Sequence, residues 1–195
     1  MKFRAAAAAT LVAVGMCGLA GPAQAIEPDT LPDEVISARD SVPSQYVEAS
    51  SPEEADMLLT QLESSGGSMS ASAAVAASVR YGPCVLNPSV MYLRESSNYK
   101  AVGTKPYTTC TVPVTSIRHS TDLRYKSFIW WKKAGSTHTG GNSGVASYTQ
   151  KSVEYYCKSS ERTGWSGTTA GTIVYAGRTY YARVYQTATT LSCGG

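Results

Sequence analysis

The sequence lacks the patterns that usually identify a cofactor-dependent enzyme or a metalloprotein. It contains no phosphate-binding loop and no dinucleotide-binding fingerprint. It has no C-x-x-C pair, and its two histidines, His119 and His138, stand in no zinc-ligand spacing. A zinc site is therefore the weaker explanation of its cysteines. We expect no cofactor and no bound metal ion.

Carboxylates are scarce after residue 79, which restricts the acid–base chemistry available there. The four acidic residues of this region are Glu95, Asp122, Glu154 and Glu161. Scattered among basic residues, they are more typical of surface ion pairs than of a glycosidase pair. The sequence GNSG at 141–144 resembles the nucleophile loop of trypsin-like proteases, and either histidine with Asp122 would complete a triad. Since a double-barrel protease is much larger than this region, we predict a protein that is not an enzyme.

Apolar runs long enough to cross a bilayer are also missing. The chain begins with the basic sequence MKFR, continues with an apolar run at residues 5–14, and reaches an A-x-A cleavage site that ends at Ala25. This arrangement predicts a cleavable secretory signal peptide over residues 1–25 and a secreted, extracellular protein. Lipidation at Cys17 is a weaker alternative, because the preceding residue is methionine rather than a small residue.

Negative charge dominates residues 26–79, the part of the chain that follows the predicted signal peptide. Residues 26–79 contain ten acidic residues and one basic residue, and they have no cysteine or tryptophan. Such a segment has little to bury, so we predict an acidic pro-segment or linker that is mostly disordered. One short helix is expected at about 51–63, because Ser51 and Glu54 form a capping box before a one-sided run of leucines.

Residues 80–195 have the opposite character, with fourteen basic residues against four acidic ones. Val, Thr, Tyr and Ile dominate, and Gly, Ser and Asn separate short runs, which is typical of strands joined by turns. Residues 175–178 are predicted to form a hairpin turn. We predict an all-β domain, an antiparallel two-sheet sandwich of about seven strands with immunoglobulin-like architecture.

Four cysteines remain once the signal peptide is removed, and an even number in an exported chain indicates disulfides. Three pairings are possible. We favour the pairs that are neighbours in sequence, Cys84 with Cys110 and Cys157 with Cys193. Each bridge would stabilise a small domain by restricting its unfolded chain.

Several short motifs recur in a familiar order within this domain. They are TTCTVPV at 108–114, Leu123-Arg124, Trp130-Trp131, YYC at 155–157 and LSC at 191–193. The order resembles a loose group of small exported two-disulfide β-proteins from high-GC Gram-positive bacteria. This resemblance covers about residues 84–193 and implies export and a β-fold, without implying any catalytic residue. The acidic segment lies outside it.

Aromatic rings beside positive charges could hold an anionic polymer by stacking and charge. The candidate binding residues are Trp131, Lys132, Lys133, Trp165, Arg178 and Arg183. Adjacent Trp130 and Trp131 point to opposite faces of a strand, so one indole is expected inside and one outside. We predict a non-enzymatic interaction domain whose partner is an anionic polymer, a cell-wall component or another secreted protein. No recognition motif favours nucleic acid, and the sequence does not indicate an oligomeric state.

Two further hypotheses concern the loops and the acidic segment. A secreted antagonist, either a protease inhibitor or an antibacterial effector, would present a rigid loop, and residues 134–144 are the candidate.

The acidic segment is tethered to the basic domain at high effective concentration. We therefore expect it to lie against the basic face and mask it, with cleavage within 68–80 as a possible release.

Overall fold

The computed structural model describes residues 30–32, 41–64 and 79–195. The predicted signal peptide and most of the predicted cleavage region lie outside these residues. The described chain forms these elements in order: β1 Thr30–Pro32, β2 Ser44–Glu48, α1 Pro52–Ser64, β3 Tyr81–Asn87, β4 Tyr92–Leu93, a 3-10 turn Glu95–Ser97, β5 Ala101–Thr104, β6 Tyr107–Ser127, β7 Trp130–Lys133, β8 His138–Thr149, β9 Val153–Tyr156, β10 Ser159–Tyr175 and β11 Arg178–Gly194.

The strands form two antiparallel sheets, which confirms the predicted all-β class. The larger sheet has the order β1-β7-β6-β10-β11-β2-β3, and β8 pairs with β6 beside this path. The smaller sheet has the order β4-β5-β9. Strands are more numerous than the seven expected because β1 and β2 precede residue 80 and because β4, β5 and β9 are very short. The predicted hairpin turn at 175–178 joins β10 to β11 and is confirmed.

The larger sheet closes on itself because β6 is long enough to serve two neighbours along one edge. Its first residues pair with β3, and residues 116–125 pair with β10. Since β10 pairs with β11, β11 with β2, and β2 with β3, the order returns to β6. Pro113 lacks the N–H that a strand ladder needs and would ordinarily divide this stretch into two strands. Instead β6 continues through it, and the register against β8 shifts between Thr109 and Val114, as a proline without an N–H requires.

Part of the acidic segment belongs to this ring, so the fold does not begin at residue 80 as predicted. Strand β2 lies between β11 and β3, pairing through Tyr181 with Val47 and through Gln45 with Val85. Tyr46 and Val47 are fully buried. Average composition over the acidic segment concealed these few apolar residues. The structure therefore extends the β-domain to include residues that precede the helix.

Helix α1 forms where the capping box predicts it, at Pro52–Ser64. The backbone N–H of Glu54 donates to Ser51 Oγ at 3.2 Å. The Glu54 carboxylate accepts from Ser50, including its backbone N–H at 2.8 Å, rather than from Ser51 as an ideal box would. These hydrogen bonds from Ser50 lower the pKa of Glu54. Ala55 and Leu59 bury the inner face of the helix.

Both predicted disulfides are present. Cys84 and Cys110 lie directly opposite each other on β3 and β6, with a Cα–Cα distance of 4.0 Å, at the pairing that closes the ring. Cys157 follows β9 of the smaller sheet and joins Cys193 of β11, with a Cα–Cα distance of 4.9 Å. The second bridge therefore links the two sheets.

Two apolar clusters fill the interior. The first consists of Tyr46, Cys84, Leu86, Val114, Ile117, Ile173, Tyr180, Ala182 and Val184. The second consists of Met91, Val102, Leu123, Ala134, Val153, Trp165 and Cys193. The second cluster contains residues of both sheets, so it is the interface through which the smaller sheet packs on the larger one.

Buried polar side chains lie between the inward apolar residues of β6 and β10. Thr121 Oγ1 donates to Gln150 Oε1 at 2.7 Å and lies 2.9 Å from Thr169 Oγ1, which accepts from Gln186 at 3.1 Å. A second chain joins Tyr46 Oη, Thr108 Oγ1 and His119 Nε2, with both spacings at 2.8 Å. Paired polar groups are tolerated inside a protein because the hydrogen bonds offset their lost hydration.

His119 should make the fold sensitive to acid. Burial lowers its pKa to about 4, whereas an unfolded chain titrates near 6.5. The unfolded state therefore takes up a proton that the folded state excludes, and stability falls as the pH decreases from 6.5 to 4. We expect this residue to account for a loss of about 2 kcal/mol between pH 7.5 and pH 5.

Urea denaturation of the wild type and of His119→Gln at both pH values measures this contribution. The variant should lose less stability on acidification than the wild type, by about that amount. Equal losses in the two proteins would show that other groups control the acid response.

Candidate binding surface

Two of the predicted binding residues, Trp131 and Trp165, are not on the surface, and this corrects the sequence analysis. Their exposed fractions are 2% and 0%. Glycine and serine surround Trp165 in the sequence, which favours a turn, but it lies inside strand β10. Its indole N–H donates to the Cys193 carbonyl at 2.8 Å, and its ring contacts Tyr125 and Tyr155. A buried indole with a satisfied donor has a structural role.

The paired tryptophans divide as expected, one inside and one outside, but the outer one is Trp130. It is 46% exposed, whereas Trp131 is buried. The two residues are adjacent on β7, so their side chains leave opposite faces of the strand. The aromatic binding candidate on this strand is therefore Trp130.

Arg183 is paired with acidic groups of the chain itself. Its guanidinium donates to both carboxylate oxygens of Glu63, at 2.9 and 3.0 Å, and to Thr60 at 3.1 Å. It also pairs with Asp56. All three partners lie on helix α1, so the acidic helix packs on β11 over this arginine. A bidentate arginine–carboxylate contact is among the stronger polar contacts in proteins.

Arg178 has an acidic partner of the same origin. Its Nη1 donates to the two carboxylate oxygens of Glu48 on β2, at 2.8 and 3.1 Å. Both arginines proposed from the sequence are thus paired with carboxylates that precede residue 65. An external anion would have to compete with these internal ones.

The two candidate lysines of β7 differ in their surroundings. Lys133 Nζ lies 3.2 Å from Asp122 and 3.0 Å from Thr137, and Thr137 donates to the same carboxylate at 2.7 Å. Lys132 is exposed and belongs to the opposite face of the strand. Charge that faces solvent on β7 therefore comes mainly from Lys132.

The most exposed apolar group in this region was not predicted from the sequence. Strand β6 turns into β7 through only two residues, Phe128 and Ile129, although residues of these types favour strands. Phe128 is 94% exposed and Ile129 is 67% exposed. With exposed Lys126, Trp130 and Lys132 beside them, they form a feature that we call the β6–β7 tip, residues 126–132. This turn contains no Gly, Asn, Asp or Pro, so no residue type marks it as a turn in the sequence.

The backbone of the β6–β7 tip is strained at Phe128. Its φ is +56°, in the left-handed region that suits glycine or asparagine. A bulky side chain there costs about 1–2 kcal/mol. Since the Phe128 ring is almost entirely exposed, packing within the described fold does not account for its retention. Backbone strain that no contact within the fold offsets is typical of functional sites.

The loop proposed for an antagonist is mostly strand. Of residues 134–144, those from His138 onwards belong to β8, which pairs with β6 from Thr121 to Tyr107. Only a short turn containing Gly135 remains before β8, with Ala134 buried. Residues 138–144 therefore belong to a paired strand, and the prediction that 134–144 form one exposed loop is wrong.

The structure does not bring Ser143 together with His119 and Asp122. His119 is buried and bonded through Nε2 to Thr108. Asp122 is bonded to Thr137 and Lys133, and Ser143 lies opposite Ser116 on the β6–β8 ladder. Within residues 30–32, 41–64 and 79–195, no group of three or more His, Cys, Asp or Glu residues could hold a metal ion.

Comparison with protein-family models, curated proteins and solved structures finds no match to any of them. No helix in the described part of the chain is both long enough and apolar enough to cross a membrane.

Proposed function

We propose that the protein is an exported, non-enzymatic interaction domain that binds an anionic extracellular or cell-wall partner through the β6–β7 tip. The observation that carries this proposal is the exposure of Phe128, Ile129 and Trp130 at a turn flanked by Lys126 and Lys132. Contiguous exposed apolar residues beside charge are typical of interaction sites. Two disulfides are compatible with export to an oxidising environment.

The tip is a better candidate than the arginines of β11. Arg178 and Arg183 have carboxylate partners within hydrogen-bonding distance. Binding an external anion there would require breaking these ion pairs, whereas Lys132 lies exposed at the tip. The acidic helix then occupies Arg183 and leaves Lys132 of the tip exposed to solvent.

This arrangement changes the proposed role of the acidic segment. A pro-segment that is removed to expose the basic face would take β2 with it, and β2 lies between β11 and β3 in the ring. A cut within 68–80 would leave β2 and α1 paired and packed on the domain. We therefore propose that residues 41–64 are a permanent structural part that covers Arg183.

Removing the lysines of the tip should weaken binding to a soluble polyanion. Polyphosphate is a suitable probe, since it presents negative charge and no apolar surface. We expect Lys126→Ala/Lys132→Ala to weaken binding at least about fivefold, which corresponds to roughly 1 kcal/mol. Wild-type binding should also fall steeply as salt screens the charges. Titration calorimetry at low and high ionic strength gives both quantities.

The matched control is Lys100→Ala/Lys151→Ala, which removes the same charge at exposed positions outside the tip. It should change polyphosphate binding much less than the tip variant does. Equal weakening by the two variants would mean that net charge, rather than the tip, governs binding. Binding that is insensitive to high salt would reject the electrostatic basis of the proposal.

A further inference from the structure

The β6–β7 tip combines two kinds of chemistry in a short span. Phe128 and Ile129 are apolar and form the end of the hairpin, and Trp130 follows them. Lys126 stands two residues before Phe128, and Lys132 stands two residues after Trp130. A soluble polyanion would use the lysines but would leave the apolar end in water. A partner that satisfies the whole tip must offer negative charge and an apolar layer together.

The order of side chains along the hairpin is the order of layers in a membrane surface. Apolar groups at the end suit the outer acyl chains, and tryptophan is favoured at the boundary between acyl chains and headgroups. Lysines behind them lie at the level of lipid phosphates, where they attract anionic lipids. Interfacial binding of this kind needs only shallow insertion, about 5–10 Å.

The backbone conformation at Phe128 indicates that this side chain serves binding to a partner rather than stability of the fold. A glycine at this position would relieve the strain of φ +56°. Phenylalanine is present instead, with 94% of its surface exposed. The Phe128 side chain therefore gains little apolar burial within the protein. An apolar surface supplied by a partner would bury it.

We infer that the partner of the β6–β7 tip is an anionic lipid surface, into which Phe128 and Ile129 insert while Lys126 and Lys132 contact the headgroups. This inference rests on the proposed binding function of the tip and specifies its partner. Charge complementarity selects anionic over zwitterionic lipid. The apolar end distinguishes a lipid surface from a free polyanion.

The tryptophans provide an internal reporter of insertion. Trp131 and Trp165 are buried, so their surroundings stay the same when the tip meets a membrane. Trp130 is exposed and lies next to the inserting residues. Its fluorescence should shift to shorter wavelength with phosphatidylglycerol-containing vesicles and should become protected from an aqueous quencher. The variant Trp130→Phe should lose both responses while it still sediments with the vesicles.

The decisive variant is Phe128→Gly/Ile129→Ser in the full chain. It removes the apolar end and relieves the backbone strain, so we expect unchanged or higher thermal stability. Sedimentation with phosphatidylglycerol vesicles should weaken at least about tenfold, because burial of two apolar side chains is lost. Binding to polyphosphate should stay as in the wild type, since both lysines remain. Val90→Ser/Val112→Ser removes exposed apolar residues elsewhere and should leave vesicle binding unchanged.

The outcomes separate this inference from the proposed function. Wild-type binding to polyphosphate without binding to phosphatidylglycerol vesicles would overturn the lipid inference and leave the proposed function intact. Binding to neither probe would overturn both. Equal binding to phosphatidylcholine and phosphatidylglycerol vesicles, or full vesicle binding by the Phe128→Gly/Ile129→Ser variant, would also overturn the inference.

Discussion

Replacing Tyr46 with alanine should lower the free energy of unfolding by about 3–5 kcal/mol, the usual cost of truncating a large core aromatic residue. Tyr46 is fully buried in the first apolar cluster, although it belongs to the acidic part of the chain. Its hydroxyl bonds to Thr108 on β6, and its ring fills the space beside Gly171 on β10. It thus fastens β2 to strands across the ring. Urea denaturation measures the change.

Two comparisons define what this result means. Tyr46→Phe keeps the ring and loses one hydrogen bond, so it should cost only about 1 kcal/mol. Tyr156→Ala removes a largely exposed ring and should cost well under the Tyr46→Ala value. A loss below about 1 kcal/mol for Tyr46→Ala would show that β2 is dispensable. In that case a chain beginning at residue 81 should also unfold cooperatively, whereas we expect that it does not.

Removing either disulfide should cost about 3–4 kcal/mol in the chain-entropy model. The bridges span 26 and 36 residues, so the entropy terms are similar, with the larger for Cys157–Cys193. This second bridge also joins the two sheets, and Cys193 is fully buried in the second apolar cluster. We therefore expect Cys157→Ala/Cys193→Ala to be the more damaging double substitution.

The measurement is urea denaturation of the two double variants and the wild type under non-reducing conditions, so that the remaining bridges stay intact. Far-ultraviolet circular dichroism should show that both variants keep β-structure at low urea. If Cys84→Ala/Cys110→Ala lowers the free energy of unfolding more, then closing the ring contributes more to stability than linking the smaller sheet to the larger one.

Local chemistry made several features predictable from the sequence. The capping box at Ser51 and Glu54 located helix α1 to within a residue at each end, because the pattern specifies a particular set of backbone hydrogen bonds. The turn at 175–178 contains Gly177 at φ +74°, a conformation in which glycine is favoured. The disulfide pairing followed from proximity along the chain.

The features that were missed depend on contacts between distant parts of the chain. Strand β2 is short and lies in an acidic segment, so only its pairing with β11 and β3 identifies it. Trp165 looked like a turn residue because glycine and serine surround it, but β6 and β11 flank it on both sides. The β6–β7 tip was hidden for a different reason, since its turn uses Phe128 where a turn-forming residue is expected.

Closure of the ring has a consequence for when the protein can fold. The pairing of β11 with β2 joins Tyr181 to Val47 and Tyr180 to Glu48, residues that are more than 130 positions apart. The ring therefore cannot be completed until residue 181 has emerged from the ribosome. Contacts so distant in sequence form slowly, because a large loop must close before they are gained. If the chain is exported as we propose, this delay keeps it unfolded while it crosses the membrane. The native state is then reached only after export.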